Sequence, residues 1–430
     1  MDTNKLEERD DSLYNQAVLD TGNRVGELAR DYFKSYSLVP YSENKRDMLD
    51  ETKNLLDSKV PVICEASFAV NNLFCSVDIL RNLDGALEIV EVKSSASVKR
   101  EHLDDMAFQF FTLTECGFTV EKIFLMHINN KYERMGELDI EKLFTLKDCT
   151  EEVVSKQKYI KENIEKIIEI AGTATEPDIP VGKQCEKPYL CPYINYCSRD
   201  LNQSNLIDDK DLIINKTKIK SFLKTLSYPL YYLDFETFMD AIPPYDYSRP
   251  YQQITFQYSL HIQEKIHGSL EHREFLGEAG IDPRRALAER LCLDIPKDVC
   301  VLTYFMPFEK SRIAELANLF PDLSEHLMAI HNNIKDLIVP FRKKAWHSSA
   351  QNGSNSIKAV LPAMFPHDPE LDYKNLDLIQ NGSDAMNAYA DLHRQEDREQ
   401  KRVRKALLDY CRLDTLAMVK ILEELYKTVD

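Results

Sequence analysis

The sequence is poor in the features that mark fibrous, disordered and membrane-spanning chains. It has only 12 glycines and 18 prolines among 430 residues, which excludes a collagen-like or low-complexity chain. It also lacks an apolar run near the roughly 18 residues that a membrane-spanning helix needs. Its first residues, MDTNKLEERDDSLYNQ, are acidic and polar, unlike a secretory signal. These absences predict a globular protein of the cytoplasm with no membrane partner.

Positive charge is scarce as well. The chain has 54 Lys and Arg residues against 71 Asp and Glu residues, a net charge of −17. A protein that only binds nucleic acid usually carries a basic surface. An enzyme that holds divalent cations through carboxylates can be acidic overall, because the cations supply the positive charge. The composition therefore counts against a passive binding module more than against a metal-dependent nuclease.

The length predicts two domains, since 430 residues exceed one ordinary core. A polar connection at residues 201–215 separates residues 1–200 from residues 216–430. Both halves alternate strand-like and helical patterns, which predicts a mixed α/β fold. The predicted strands are VPVICEASFAV, NLFCSVDILR, ALEIVEVKSS and KIFLMHIN, then YPLYYLDFETF, ITFQYSLHIQ and VCVLTYF. One charged helix is predicted over 150–172, with an apolar stripe of Val154, Ile160, Ile164 and Ile168, and another from about 390 to 427.

Two acids and a lysine on neighbouring predicted strands form the first candidate site. Asp78 and Glu91 could share a Mg²⁺ ion, which prefers carboxylate oxygens. Lys93 lies two residues after Glu91 and so points to the same face of its strand. It could steer an attacking water or offset charge that builds on phosphorus. Ordinary strands with solvent-facing charges are the alternative, but Glu27 on a preceding helix and Gln109 on a following helix strengthen the catalytic interpretation.

This set of residues resembles the PD-(D/E)xK nuclease superfamily in its RecB-like branch. The resemblance implies a restriction-endonuclease-like fold for the first half. It also implies that Asp78, Glu91 and Lys93 are catalytic, with Glu27 and Gln109 supporting them. The branch often has a metal-binding histidine just before the helix glutamate, where this chain has Gly26.

The ten cysteines are unevenly placed. Seven are scattered, whereas Cys185, Cys191 and Cys197 stand together in CEKPYLCPYINYC. In a reducing compartment such a trio favours metal ligation over disulfides. It would suit a [4Fe–4S] cluster or, alternatively, a structural zinc, and three free thiols is the remaining possibility. RecB-like nucleases have a similar trio with a fourth cysteine upstream of the first helix, but no cysteine precedes Cys64 here.

The second candidate site combines an apolar strand with the C-terminal helix. In YYLDFETF, Asp234 and Glu236 are two residues apart and project from one face. Charges on so apolar a strand are costly to bury unless they are paired or bind metal. In DYCRLDTLAM, Tyr410 and Asp414 are four residues apart on one helix face. Asp414 could complete a two-metal site while the Tyr410 hydroxyl orients the nucleophilic water.

A D-x-E strand, a middle acid and a late Y-x-x-x-D helix together resemble the DEDD exonucleases of the RNase H-like fold, in their tyrosine variety. The resemblance implies hydrolysis of nucleic acid from the 3′ end with two Mg²⁺ or Mn²⁺ ions. Glu309, in TYFMPFEKSRIAEL, stands where that family has an aspartate, and the family's preceding asparagine is absent. Asp336, in NIKDLIVP, is a second candidate whose position is more typical of a structural aspartate.

Several longer stretches resemble a bacterial family labelled domain of unknown function 2779, over nearly the whole chain from about residue 20. Substrate contacts are predicted in two stretches and a basic cluster, each with a purely structural alternative: Arg249, Tyr251, Gln252, Gln253 and Gln257; Ser354, Asn355, Ser356 and Lys358; and KRVRK at 401–405. The sequence thus predicts a metal-dependent nuclease acting on DNA, with RNA left open. The alternative is a catalytically degenerate, nuclease-derived binding or scaffold protein.

Overall fold

This computed structural model describes residues 13–83, 86–173, 179–187, 189–199 and 212–429. Most of the predicted connection at 201–215 lies outside the described residues, which resume at 212. The chain forms two compact units. Of the described residues, the first unit contains those up to 199 together with Asp240–Gln252, and the second contains those from 212 to Met239 and from Gln253 to 429.

The first unit contains one mixed sheet with helices on both faces. Its strands are β1 (Ser37–Leu38), β2 (Val62–Val70), β3 (Leu73–Leu83), β4 (Ala86–Lys93), β5 (Val120–Ile128) and β6 (Phe144–Asp148), and they lie in that order across the sheet. Its helices are α1 (Leu13–Asp31), α2 (Lys45–Asp57), α3 (Arg100–Glu115), α4 (Ile140–Leu143), α5 (Thr150–Ser155), α6 (Gln157–Ala171) and α7 (Ile194–Ser198).

Strand β4 lies between β3 and β5 in the sheet, and both of its faces are covered. It pairs antiparallel with β3 and parallel with β5. Ile89 packs in the apolar cluster that contains Met106 of α3, whereas Val90 packs in the cluster that contains Val25 of α1. A strand buried on both faces is expected to be a nearly continuous apolar run, as ALEIVEVK is. The two acids in that run, Glu88 and Glu91, are therefore exceptions that need partners.

Residues Asp240–Gln252 follow the first strand of the second unit in sequence but pack in the first unit. Arg24 of α1 forms an ion pair with Asp240 at 2.9 Å. The backbone of Arg134 donates to the Ser248 carbonyl at 3.1 Å, and the Tyr251 hydroxyl donates to the Ser94 carbonyl. The first unit is thus built from two separate stretches of chain.

The second unit contains a five-stranded mixed sheet and a two-stranded ladder. Its strands are β7 (Ile213–Ile214), β8 (Leu230–Phe238), β9 (Ile254–Gln263), β10 (Leu270–Leu276), β11 (Cys300–Thr303), β12 (Ile334–Asp336) and β13 (Trp346–His347). Its helices are α8 (Lys216–Leu223), α9 (Arg284–Asp294), α10 (Met306–Leu319), α11 (Ser324–Asn333), α12 (Val339–Arg342), α13 (Ile357–Met364), α14 (Gly382–Asp391) and α15 (Asp397–Val429).

The five-stranded sheet has the order β10-β9-β8-β11-β12. Strands β8, β9 and β10 form an antiparallel meander, and β11 and β12 run parallel to β8. Both units are therefore mixed α/β, as the sequence predicts. One face of β8 and β9 is apolar: Tyr231, Leu233 and Leu260 pack in the cluster that contains Leu287 of α9.

The opposite face of this part of the sheet packs against α15, and on β9 that face is polar. Thr415 of α15 bonds Ser259 at 2.7 Å and the Nδ1 atom of His261 at 2.8 Å. Gln257 donates to the Leu407 carbonyl at 2.8 Å. Directional bonds of this kind fix the register of a helix on a sheet more strictly than apolar packing does. The position of α15 therefore follows from these pairs.

The predicted helix over 150–172 is wrong in detail. Lys156 separates α5 from α6. Val153 is fully buried, while Val154 is 48% exposed and Ile168 is 55% exposed. The stripe is therefore correct at Ile160, which is buried, and at Ile164, which packs against the same cluster, and wrong at Val154 and Ile168. Within the described residues, no helix is both long and apolar enough to cross a membrane.

We expect Thr415→Val to lower the free energy of unfolding of the second unit by about 1–3 kcal/mol, because it leaves the buried Ser259 and His261 without their shared partner. Denaturant unfolding would measure the loss. Thr428→Val is the matched control on the same helix, since Thr428 bonds only the Glu424 carbonyl one turn earlier. Equal losses in the two variants would contradict the role given to Thr415.

Candidate active site

Asp234 and Glu236 project from the same face of β8, as the sequence predicts. They lie just before an irregularity in the pairing of β8 with β9, between Glu236 and Thr237. Such irregularities re-aim side chains and are common beside active sites. One ligand atom from each of Asp234, Glu236 and Cys411 lies within 4.8 Å of the other two. The strand and α15 thus bring three metal-ligand side chains to one point.

Asp414 joins this group from the next turn of α15. Its Oδ1 atom accepts a hydrogen bond from the Tyr373 hydroxyl at 2.6 Å, and the Tyr410 hydroxyl bonds it as well. Burial raises the pKa of Asp414 to about 6, although both tyrosine bonds and the charge of Lys358 act in the opposite direction. Two phenols therefore hold this carboxylate in place and partly stabilise its charge.

Glu309 is the middle acid of the group. It lies in the first turn of α10 and is 1% exposed. Its Oε2 atom has no hydrogen-bond partner among the described residues. Burial and the neighbouring Asp234 raise the pKa of Glu309 well above its usual value. A buried carboxylate oxygen without a partner is costly, and a bound cation would remove that cost.

Asp336 accepts backbone hydrogen bonds and has a structural role. Its Oδ1 atom accepts from the backbone N–H of Phe305 at 3.0 Å and from that of Ile338 at 3.1 Å. Phe305 has a φ of 78°, an uncommon backbone conformation for a bulky residue. Asp336 therefore secures the strained turn that starts α10 and so sets the direction of Glu309. This agrees with the structural position that the sequence assigns to it.

The pKa values of these side chains show that it is unfavourable to bury their negative charges together. The pKa of Asp234 lies well above its usual value because of burial and the nearby Asp414 carboxylate. Burial, Asp234 and Asp414 raise the pKa of Glu236 in the same way. Burial also raises the pKa of the Cys411 thiol well above its usual value. Carboxylates that crowd like this are typical of cation sites and of catalytic sites.

The donor set suits a hard divalent ion. Asp234, Glu236, Asp414 and Glu309 offer carboxylate oxygens, the ligands that Mg²⁺ and Mn²⁺ prefer. A softer ion such as zinc would gain most from a Cys411 thiolate, and the raised pKa of that thiol opposes its ionisation. The unpartnered Oε2 atom of Glu309 gives a second reason to expect a cation.

Tyr410 is buried and faces Lys358. The Lys358 Nζ atom donates to the Tyr410 hydroxyl at 2.9 Å. Because Tyr410 also bonds Asp414, its hydroxyl is already committed to two partners. In this arrangement Tyr410 positions Asp414, and it can orient a water only by exchanging one of these bonds.

The first candidate site is also assembled, but its groups are paired with each other. Lys93 bonds Glu91 at 2.6 Å and Asp105 at 2.7 Å. Gln109 donates to the second oxygen of Glu91 at 2.7 Å. Asp78 accepts from the backbone N–H of Val92 at 2.7 Å. The structure therefore brings together Asp78, Glu91, Lys93 and Gln109, and both oxygens of Glu91 have protein partners.

The pKa shifts of this site follow from that pairing. Burial and Asp78 raise the pKa of Glu91 well above its usual value. Burial also raises the pKa of Asp78, against the effect of its backbone hydrogen bond. Burial alone would lower the pKa of Lys93, but Glu91 and Asp105 raise it above its usual value. Lys93 is thus a charged counter-ion here, held by two acids.

Glu27 lies beside a cavity of about 300 Å³ that Asp78 also lines. Glu65, on β2, lines the same cavity and forms an ion pair with Arg30 at 3.7 Å. Glu65 has a φ of 58°, and burial followed by the nearby Asp78 raises its pKa. The predicted supporting role of Glu27 thus has a matching location, with Glu65 as an acid that the sequence does not reveal.

The cysteine trio does not form a compact ligand group among the described residues. Two sulfurs bound to one zinc ion can be at most about 4.6 Å apart, given Zn–S distances of about 2.3 Å. The sulfurs of Cys185, Cys191 and Cys197 do not all lie within 4.8 Å of one another, whereas the ligand atoms of Asp234, Glu236 and Cys411 do. Cys191 N–H donates to the Cys185 carbonyl at 2.7 Å, which shapes the loop instead. Both the iron–sulfur cluster and the alternative zinc ion stay predictions for these cysteines.

The stretch proposed for substrate contacts after β8 is occupied by internal bonds. Arg249 pairs with Glu133 at 2.8 Å, and the Gln252 side chain accepts from the Arg249 backbone at 3.1 Å. Tyr251 bonds Ser94, Gln253 accepts from Arg312, and Gln257 is fully buried. The structural alternative is therefore favoured for this stretch.

The sequence interpretation misses Cys411 and Tyr373 as neighbours of the second site and gives Lys358 a different role. Cys411 lies three residues before Asp414, so helical spacing alone places it on the same face. Lys358 is predicted as a phosphate contact, but its pairing with Tyr410 is not predictable from its position. Tyr373 carries no local signal, because it reaches Asp414 from a short helical turn, Tyr373–Asn375, far away in sequence.

Comparison with known proteins gives a match for only part of the chain. No curated protein matches it. Residues 231–356 match the family model described as Domain of unknown function (DUF2779). The match includes Asp234, Glu236, Glu309 and Asp336, and it is narrower than the nearly whole-chain resemblance seen in the sequence. The second unit therefore contains a DUF2779 domain at residues 231–356.

Proposed function

We propose that the protein is a metal-dependent nuclease whose hydrolytic centre is the carboxylate group of the second unit. The observation that carries the proposal is the close approach of Asp234 and Glu236, whose charges interact with those of Asp414 and Glu309, while a buried oxygen of Glu309 has no partner among the described residues. Bound Mg²⁺ or Mn²⁺ would activate water and neutralise charge that develops on the phosphate. The side chains of the protein would hold those ions and orient the groups around them.

Each residue has a task in this proposal. Asp234 and Glu236 supply ligands from a rigid strand, and Glu309 supplies one from the turn that Asp336 secures. Tyr373 and Tyr410 fix the orientation of Asp414. Sites held by such supporting bonds keep the geometry that catalysis needs.

The two sites differ in how available their groups are. In the first unit, Glu91 and Lys93 are bonded to each other and to residues of α3. In the second unit, Glu309 keeps one oxygen without a partner among the described residues. We therefore assign hydrolysis to the second unit and treat the first as a further nuclease-type site whose turnover is open to test. The resemblance to DEDD exonucleases suggests DNA as substrate, degraded from the 3′ end, with RNA as the alternative.

Asp234→Asn is expected to reduce metal-dependent degradation of single-stranded DNA by on the order of 100-fold or more, because it removes a ligand without changing shape. Asp78→Asn is the matched variant of the first unit and is expected to retain most of the activity. A 5′-labelled oligonucleotide with Mg²⁺ or Mn²⁺ measures both, and stepwise shortening would show action from the 3′ end.

Two results would contradict the assignment. If Asp78→Asn loses as much activity as Asp234→Asn, the second unit is not the sole centre of hydrolysis. If the unaltered protein cleaves neither DNA nor RNA with either metal, the nuclease-derived scaffold becomes the better interpretation.

Asp414→Asn is expected to stabilise the metal-free protein at about pH 8. A carboxyl with a folded-state pKa of about 6 and an unfolded value near 3.9 makes the folded state lose stability as pH rises through that interval. Asn mimics the protonated form, so its advantage in EDTA should be on the order of 1–3 kcal/mol at about pH 8 and should nearly vanish below about pH 4.

Thermal unfolding in EDTA at several pH values would measure this difference. Comparing the variant with the unaltered protein cancels the titration of the histidines. Asp409→Asn is the control on the same helix, where Asp409 pairs with Lys405 near the surface. A difference that does not change with pH would refute the shifted pKa of Asp414.

Metal analysis tests the remaining cofactor prediction. Protein purified without oxygen is expected to contain iron if Cys185, Cys191 and Cys197 hold a [4Fe–4S] cluster, and Cys191→Ser should remove it. Elemental analysis for iron and zinc reads out both possibilities. Equal metal content in the two proteins would leave these cysteines as free thiols.

A further inference from the structure

Lys358 has an unusual set of neighbours for a lysine. Its Nζ atom donates to the Tyr410 hydroxyl at 2.9 Å and to the Gln380 carbonyl at 3.1 Å. The same atom lies 4.8 Å from the centre of the Tyr410 ring and 4.9 Å from that of Tyr373. Two acceptors and two aromatic faces therefore hold the ammonium group.

The charge of this ammonium group acts on the carboxylates. Its charge acts to lower the pKa values of Asp234, Glu236 and Asp414, against the effect of burial on each of them. Tyr410 links the two sides, because it accepts from Lys358 and bonds Asp414. Lys358 thus supplies positive charge to the place where the proposed function puts a divalent ion.

We propose that Lys358 is the internal counter-ion of Asp234, Glu236 and Asp414, and that it competes with the divalent ion for this group. The proposal rests on the proposed function only in requiring a metal ion at these carboxylates. A lysine suits the role because its compact charge sits on a flexible stem that can withdraw when a cation enters. Lys358 is then a positioning residue, and it sets how tightly the metal binds.

A purely structural role predicts the opposite sign. If Lys358 only held Tyr410 in place, its removal would loosen Asp414 and weaken metal binding. If it is a counter-ion, its removal takes away a repulsive charge and strengthens metal binding. The direction of the change in affinity therefore separates the two roles.

The first measurement is a Mn²⁺ titration by calorimetry on the full chain. Lys358→Met is expected to bind Mn²⁺ on the order of tenfold more tightly than the unaltered protein, because the repulsive charge is gone. Lys358→Arg keeps the charge and should stay close to the unaltered affinity. Lys335→Met, at an exposed position of β12, is the control for loss of a distant charge. Unchanged or weaker binding by Lys358→Met would overturn the proposal.

The second measurement needs neither metal nor activity. In EDTA, Lys358→Met should lower the thermal midpoint, and the loss should become smaller when Asp414→Asn is also present, because one of the three charges that Lys358 balances is gone. Additive effects would refute the counter-ion. Should Lys358→Met fail to fold, Lys358→Gln keeps a donor for Tyr410 without the charge and serves in both measurements.

The two measurements separate the two claims. A protein that binds no Mn²⁺ but shows coupling between Lys358 and Asp414 in EDTA would refute the metal site while supporting the counter-ion. A protein that binds Mn²⁺ but shows neither coupling nor tighter binding by Lys358→Met would support the metal site and refute the counter-ion.

Discussion

The second unit is organised around the cost of burying several carboxylates together. A buried carboxylate loses its hydration, and a second one nearby adds repulsion, so both effects favour the neutral form. Asp234, Glu236 and Glu309 all show pKa values well above their usual range for these reasons. A chain selected only for stability would place apolar side chains on β8 at these positions. The proposed cation site would account for their presence there, because a bound cation would offset this loss of stability.

The two units offset the unfavourable burial of carboxylates in different ways. In the first unit, Glu91 is balanced within the protein by Lys93 and Gln109, and Lys93 is balanced in turn by Asp105. In the second, the tyrosines and Lys358 offset only part of the charge, and one oxygen of Glu309 has no partner among the described residues. Similar residue types thus leave both oxygens of Glu91 paired in the first unit, whereas one oxygen of Glu309 in the second has no partner among the described residues. Availability of ligand atoms, rather than the presence of a motif, distinguishes them.

The sequence predicts features that depend on local periodicity. The strands that carry Asp78, Glu91 and Asp234, and the helix that carries Asp414, lie where alternation and helical spacing put them. Contacts between distant segments were not predictable: Tyr373 on Asp414, the cavity shared by Glu65 and Asp78, and the packing of Asp240–Gln252 in the first unit. The stripe through Val154 failed for a related reason, since a break at Lys156 changes the phase without any proline or glycine to mark it.

The polar contact between α15 and the sheet explains how these separate segments reach one geometry. Apolar packing tolerates small sliding of a helix, whereas paired hydrogen bonds from Thr415 and Gln257 do not. Asp414 is the neighbour of Thr415 in sequence. The hydrogen bonds that hold Thr415 on β9 therefore also hold Asp414 opposite β8. Hydrogen bonds that contribute little net stability thereby determine the distances between carboxylates. The proposed metal site would depend on such distances far more than a core does, and that dependence would account for the polar buried face of β9.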